Sequence, residues 1–386
     1  MNCYIKDYIK RININLKKIP IELEIKKNTI QEKFDMINYK VQYVNIQNNS
    51  INGVIKKGKS KYFFKILKEQ EFINEIVGYI EIKDTFPVNK IIEIFEFKNY
   101  YISIYEYEKT IGKNKGLLND FFVENDIKIE ENSQQVISNI INVYKDNFNT
   151  IVEKDKYPME KFFKDRVETR LKRWYNNEEL LKYTININGI ESKSTMSIIE
   201  ETISFFEKKQ NLKCSLTQGD PNTLNIGIKP IFFDFATAGN NPIIAEFSTI
   251  FWSVLIADAY FCPKYHSNSY YRHEKVYDNI EKFKPNIGYK IDNKTKKIHI
   301  QSNIKTSKIR MIFIKEYINM LKNLNIEIQK EVIYFFTMRI LCVFDIRTMD
   351  ENDYFYSIFI LHYLYKNLSY NIYESIINIM NKFENI

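Results

Sequence analysis

A chain of 386 residues, 45% hydrophobic and 15% aromatic, is long enough to bury about two substantial cores, which excludes general disorder. Its net charge is +8, its 10 Gly and 8 Pro leave little room for flexible linkers, and no internal repeat stands out. The four cysteines, Cys3, Cys214, Cys262 and Cys342, lack metal-ligand spacing and read as free thiols of a reducing compartment. Met1 to Asp7 has no uninterrupted apolar core of a signal-peptide kind, so a cytoplasmic protein is expected.

In chain order, residues 40–47 and 61–67 read as strands. The segment Asn48-Asn49-Ser50-Ile51-Asn52-Gly53 has turn chemistry, free amides and one glycine, so Ser50 is a candidate for covering a phosphate. Gly53 to Ser60 matches the phosphate-loop pattern G-x-x-x-x-G-K-[ST] letter for letter. That pattern needs a helix after it, and Lys61-Tyr62-Phe63-Phe64 is a strand signal, so an exposed hairpin turn is expected instead. Lys65 is a lone cation in an apolar strand and requires a partner. The helix expected over 69–83 offers Glu71 and Glu75, which share one face at i, i+4. Tyr100 to Tyr105 is an aromatic, β-branched strand leading into Glu106-Tyr107-Glu108. Beyond it, helical spacing covers 131–153, 160–176, 195–209, 305–323, 326–346, 352–367 and 370–383. The stripe Tyr354, Phe355, Phe359 and Tyr363 reads as core. Ile243 to Cys262 is the most apolar long stretch, but Glu246 and Asp258 interrupt it, which favours a buried helix over a membrane span.

Chemistry concentrates at Gly219-Asp220-Pro221-Asn222-Thr223-Leu224-Asn225, followed nine residues later by Asp234-Phe235-Ala236. Phosphoryl transfer gains rate from in-line alignment of the acceptor and from charge neutralisation by Mg²⁺. Asp220 suits the base that takes the acceptor's proton. Asn225 and Asp234 supply a neutral and an anionic oxygen, fitting a hard cation that keeps water or phosphate in its other positions. Ile226-Gly227-Ile228, Lys229-Pro230 and Ile231-Phe232-Phe233 read as strand, turn, strand, which would bring Asp234 back beside Asn225.

These residues resemble the aminoglycoside phosphotransferase and choline kinase family, which carries H-G-D-x-x-x-x-N and then I-D-[FW]-x-x-A-G-x-x-P. The chain has Thr217 to Asn225 and then Phe233-Asp234-Phe235-Ala236-Thr237-Ala238-Gly239-Asn240-Asn241-Pro242, with Gln218 where the family usually has His. Asn74-Glu75-Ile76-Val77 is similar to the family's R-E-x-x pattern, Phe86-Pro87-Val88 to its L-P-V-P segment, and Glu106-Tyr107-Glu108 to its M-E-Y hinge. The resemblance spans roughly residues 40 to 260. It implies an α+β, two-lobed protein-kinase-like fold: a small sheet-plus-helix lobe over residues 1–106 and a mainly helical lobe over 107–386, with a basic insertion at about 262–310. It also implies ATP and Mg²⁺ as cofactors, Lys65 paired with Glu75 (Glu71 second) at the phosphates, and Glu106 and Tyr107 at the adenine.

After Pro242 the chain enters a helix rather than a long loop with an A-P-E ending, and Gly219 stands where many protein kinases have an arginine. Both favour a small-molecule kinase over a signalling kinase. Residues 262–310 hold 12 Lys and Arg against 4 Asp and Glu, an excess of +8 equal to that of the whole chain. Such a segment attracts anions and sits poorly with a polycationic acceptor. His266 and His273 within it make a weak metal site. Three readings follow: transfer of the γ-phosphate to a hydroxyl of a metabolite or antibiotic; transfer to Ser or Thr of a natural-product precursor peptide; or a non-catalytic nucleotide- or nucleic-acid-binding module. The last is disfavoured because a binding module needs no base, so nucleic acid is not the expected partner, nor is a membrane.

Overall fold

The computed structural model describes residues 3–47, 50–109, 116–148, 152–156, 165–270 and 274–386. The amino-terminal part is a six-stranded sheet in the order β1-β5-β6-β4-β3-β2. Its strands are β1 (Leu16–Lys18), β2 (Lys40–Gln47), β3 (Ser50–Lys57), β4 (Ser60–Leu67), β5 (Ile91–Glu96) and β6 (Tyr101–Glu106). All neighbours are antiparallel except β1, which runs parallel to β5. The phosphate-loop look-alike is the β3–β4 hairpin, turning at Gly58 with φ of 61° and with no helix behind it.

Strand alternation assigns the two faces of β4. Phe64 and Ile66 point into a satellite core closed by α2 (Lys27–Met36), where Phe34 meets Phe64 at 4.5 Å between ring centroids. Lys65 points to the opposite face, covered by α3 (Glu69–Ile82), whose Phe72 stacks on Tyr101 at 4.3 Å. The first 40 residues, outside the family resemblance, therefore complete the sheet with β1 and cover its outer face with α2.

The larger remainder packs helices around the run Ile243–Trp252, which continues as a π-helix over Ser253–Phe261. Among the described residues, Ile243–Tyr265 is the one helix long and apolar enough to cross a membrane, and its apolar window lies wholly inside the protein. Of the expected helix over 160–176, residues 160–164 lie outside the described residues, and Val167–Lys172 forms a π-helix rather than an α-helix. The expected core stripe is largely buried, with Phe355 and Phe359 fully so. The basic segment is an integral part of this region rather than a solvated insertion. Strands Ile287–Asp292 and Lys297–Ser302 provide half of a four-stranded sheet, with Ile298 and Ile300 fully buried and Lys297–Ser302 running parallel to Thr184–Ile187.

Candidate active site

Lys65 emerges from β4 between two carboxylates. Its Nζ lies 2.6 Å from Glu75 Oε1 and 3.1 Å from Asp234 Oδ1, so one ammonium ties the sheet, α3 and the segment after the hairpin. Burial opposes that charge, yet Asp234 and Glu75 together hold the ammonium protonated well above the ordinary lysine range. Glu75 is 1% exposed; burial pushes its carboxyl up, while Lys65 and the Tyr105 hydroxyl, which donates to Oε1 at 3.2 Å, pull it back. Its Oε2 accepts the backbone N–H of Phe235 at 3.0 Å. Glu71, the second choice from sequence, instead accepts the backbone N–H of Lys68 at 3.2 Å and caps the start of α3. Gly78 lets α3 lie against this segment, since a Cβ there would fall 1.8 Å from the Phe235 carbonyl oxygen.

Asp234 is exposed and half open to solvent at its side chain, and Lys65 lowers its pKa. It adopts φ of 58°, a left-handed conformation that costs a non-glycine residue about 1 kcal/mol or more. The restraint comes from the fully buried Gln218, whose Nε2 donates to the carbonyls of Phe233 and Asp234, both at 2.8 Å, while its Oε1 accepts the N–H of Asp220 at 2.8 Å. One amide side chain thus joins both halves of the motif, and this is how the loop is braced with glutamine where the family usually has histidine. Glu246 supports the same loop from beneath, accepting the N–H groups of Gln218 at 3.2 Å and Gly219 at 2.9 Å. Burial raises its pKa to about 7 against the pull of those two bonds. Gly219, at φ of 86°, leaves no room for a side chain beside the Thr237 carbonyl.

Asp220 Oδ1 pairs with Arg339 Nη1 at 2.7 Å, and Oδ2 receives a long 3.3 Å contact from Asn222. Asn225 Nδ2 donates to the Asp220 carbonyl at 2.9 Å, and the Asn225 carbonyl accepts the N–H of Phe233 at 3.0 Å. The expected hairpin is present, pairing Ile226 with Phe232 and Gly227 with Ile231, and it returns the chain to Asn225 as the spacing requires. Asp258 anchors the middle of the loop through the N–H and hydroxyl of Thr223, at 2.9 and 2.7 Å. A cavity of about 280 Å³ opens beside Asp220, Asn222 and Asp258.

The remaining sequence candidates stand at or just beyond strand ends of the amino-terminal sheet. Ser50 starts β3, but its side chain, like Asn48 and Asn49, lies outside the described residues. Glu106 ends β6, exposed, and its N–H already donates to the Lys90 carbonyl at 2.9 Å, which takes that donor away from a nucleotide base. Tyr107 follows, half-buried, with the Lys61 ammonium 5.8 Å from its ring centroid. Sequence reasoning missed the roles of Glu246, Asp258 and Arg339, although each left a signal. The first two are the carboxylates that interrupt the most apolar stretch, and the third is the only charged residue in Val332–Cys342.

The sheet-plus-helix and helical parts, with this loop and hairpin at their junction, form an α+β, two-lobed protein-kinase-like fold. The chain is similar to the amicoumacin kinase hAmiN, solved in complex with AMP-PNP, Ca²⁺ and Ami, with a TM-score of 0.50 at 10% identity over 95% of this chain and 96% of that one. Weaker likenesses include aminoglycoside phosphotransferase APH(4)-Ia with ADP and hygromycin B (TM-score 0.38, 11% identity, 77% of this chain and 92% of that one). Another is an aminoglycoside-3'-phosphotransferase of type VIII (TM-score 0.37, 10% identity, 73% and 93%). No protein-family model matches the chain, and no curated protein matches it either.

Proposed function

We propose that this protein is an ATP-dependent phosphotransferase that moves the γ-phosphate to a hydroxyl of a small-molecule acceptor. The observation that carries the reading is the Lys65 bridge to Glu75 and Asp234, which ties a strand, a helix and the segment after the hairpin at one point. In this reading residues 1–106 hold the nucleotide and residues 107–386 the acceptor. Glu75 holds the Lys65 ammonium toward the α- and β-phosphates. Arg339 holds Asp220 Oδ1 and so orients the carboxylate that would receive the acceptor's proton. As the acceptor oxygen bonds to the γ-phosphorus, the bond from phosphorus to the β–γ bridging oxygen breaks, ADP leaves, and the proton ends on Asp220.

The donor set fits Mg²⁺. Asn225 has its NH₂ committed to the Asp220 carbonyl, which leaves Oδ1 for a cation, and Asp234 adds a carboxylate that solvent reaches. Two protein oxygens are few, as befits an ion that keeps water and phosphate oxygens. When bound, the ion would offset charge on the phosphates. The likeness to hAmiN, a kinase solved with AMP-PNP, Ca²⁺ and Ami, supports use of a nucleotide with a divalent cation. A cavity of about 280 Å³ suits a small acceptor better than a peptide.

ATP with Mg²⁺ is expected to raise the melting temperature of the wild type. Asp234→Ala should lose most of that shift, whereas Asp220→Ala should keep it and lose ATP turnover. Unchanged turnover in Asp220→Ala removes the base, and a wild type indifferent to ATP and Mg²⁺ removes the assignment.

A further inference from the structure

The cavity beside Asp220 has a charge that its sequence neighbourhood does not announce. Three guanidinium groups line it: Arg166, at the entry to the π-helix Val167–Lys172, Arg170 within that helix, and Arg339 from Val332–Cys342. Two carboxylates face them, Asp220 and Asp258. Asp258 is turned toward the loop, held by Thr223 and by the Tyr270 hydroxyl at 3.2 Å. His266 adds no charge, because burial lowers its pKa. Among the described residues, three cations and two carboxylates line this space of about 280 Å³, an excess of one positive charge.

The excess is felt by the side chains themselves. Burial, then the like charges of Arg170 and Arg339, lower Arg166 to about 9 despite the opposing pull of Asp220. An anion entering the cavity would offset that repulsion. Arg170 is oriented by its Nη1, which donates to the Cys342 carbonyl at 2.5 Å, and by the Trp174 ring, 5.4 Å from its guanidinium carbon to the centroid. The wider π turn is a local irregularity of the kind that helices carry at functional sites, and here it bears two of the three arginines.

Building on the phosphotransferase reading, we propose that the acceptor is a compact hydroxylated anion, its carboxylate or phosphate-type group held by Arg166 and Arg170 while its hydroxyl meets Asp220. Arg339 stands between the two ends, bonded to Asp220 and lining the same cavity. Guanidinium groups suit both kinds of oxyanion through paired N–H donors. A polycationic acceptor is repelled by the same side chains. The lysines of residues 262–310 are not the anion site, since among the described residues none of them lines the cavity, and Lys296 and Lys297 face Glu179 and Glu191 at 3.6 and 2.8 Å.

The test uses the full chain with AMP-PNP and Mg²⁺ saturating the nucleotide site, and titrates inorganic phosphate and, separately, malonate, by thermal shift and calorimetry. Saturable binding of either is expected, and the tighter of the two names the chemical group. Arg166→Gln and Arg170→Gln should each weaken that binding about tenfold or more, the loss of one charge-assisted contact. Arg166→Lys should retain part of it, and a Lys294→Gln, Lys296→Gln, Lys297→Gln triple variant should bind as the wild type does. Absence of saturable anion binding, or equal affinity in the arginine variants, overturns the proposal. Failure of the kinase reading is seen separately, as a missing response to AMP-PNP and Mg²⁺ before any anion is added.

Discussion

Replacing Gln218 by alanine tests whether one buried amide holds the two halves of the site in register. The side chain makes three hydrogen bonds of 2.8 Å, two donated to the carbonyls of Phe233 and Asp234 and one accepted from the N–H of Asp220. A buried hydrogen bond contributes about 1 kcal/mol net, and a partner left unsatisfied loses about 1–3 kcal/mol. Local relaxation and water entry from the cleft offset part of this, so Gln218→Ala should cost roughly 2–4 kcal/mol in urea unfolding. The functional loss should be larger than stability alone accounts for, because Asp234 is held at a φ of 58° that it would otherwise leave. ATP hydrolysis measured well below the melting transition should fall by about tenfold to a hundredfold, equivalent to about 1.4–2.7 kcal/mol of lost positioning. Gln218→His is the informative companion: an imidazole has one donor and one acceptor, enough for two of the three bonds, and should recover much of both losses. A Gln218→Ala protein within about 0.5 kcal/mol of wild type, hydrolysing ATP at the wild-type rate, would refute the bracing role.

Two further outcomes concern the frame of the site. Arg310 and Asp126 form a buried pair at 2.8 Å, joined by Ser307 and by the Val254 carbonyl, so Asp126→Ala should cost about 3–5 kcal/mol in urea unfolding, and Asp126→Leu with Arg310→Met much less. His362 is fully buried between Thr195 and Ser192, with its pKa lowered by burial to about 3. Its folded pKa lies below the unfolded value, so the stability it contributes is present above about pH 6.5 and falls with acidification by about 1.4 kcal/mol per unit. Between pH 7 and pH 5 the wild type should therefore lose about 2 kcal/mol more than His362→Gln, and parallel curves would contradict a neutral buried imidazole.

The arrangement of the proposed phosphoryl-transfer residues was legible because they lie close together in the chain: a carboxylate, an amide five residues on, and a second carboxylate across a short hairpin. Lys65 was legible for a different reason, a charge in an apolar strand being unstable without a partner. Choosing between Glu71 and Glu75 rested on the resemblance, since both share a helix face; the structure separates them because Glu71 lies in the first turn of α3, where it caps an N–H, and Glu75 lies one turn deeper, against Tyr105 and Phe235. The supports of the loop were not legible. Gln218 acts on residues 15 and 16 positions away, Glu246 on residues 27 and 28 away, and Arg339 on one 119 away, and no local periodicity records such pairings.

Charge shows most clearly why linear reading falls short. The excess of +8 in residues 262–310 invited an anion-binding role, yet its lysines spend their charge on neighbours: Lys297 on Glu191, Lys296 on Glu179, Lys264 on Asp350 and Asp353. Exposed pairs such as Lys296–Glu179 and Lys297–Glu191 contribute about 0–1 kcal/mol and are screened by salt. The cations positioned to select an acceptor are Arg166, Arg170 and Arg339, thinly scattered in sequence and gathered by a π turn and a buried helix into one cavity. There the guanidinium groups are partly or wholly buried, so solvent and salt screen them less than they screen surface lysines. If the proposed anion site selects the acceptor, binding should change little with ionic strength at the surface lysines while depending steeply on the three arginines.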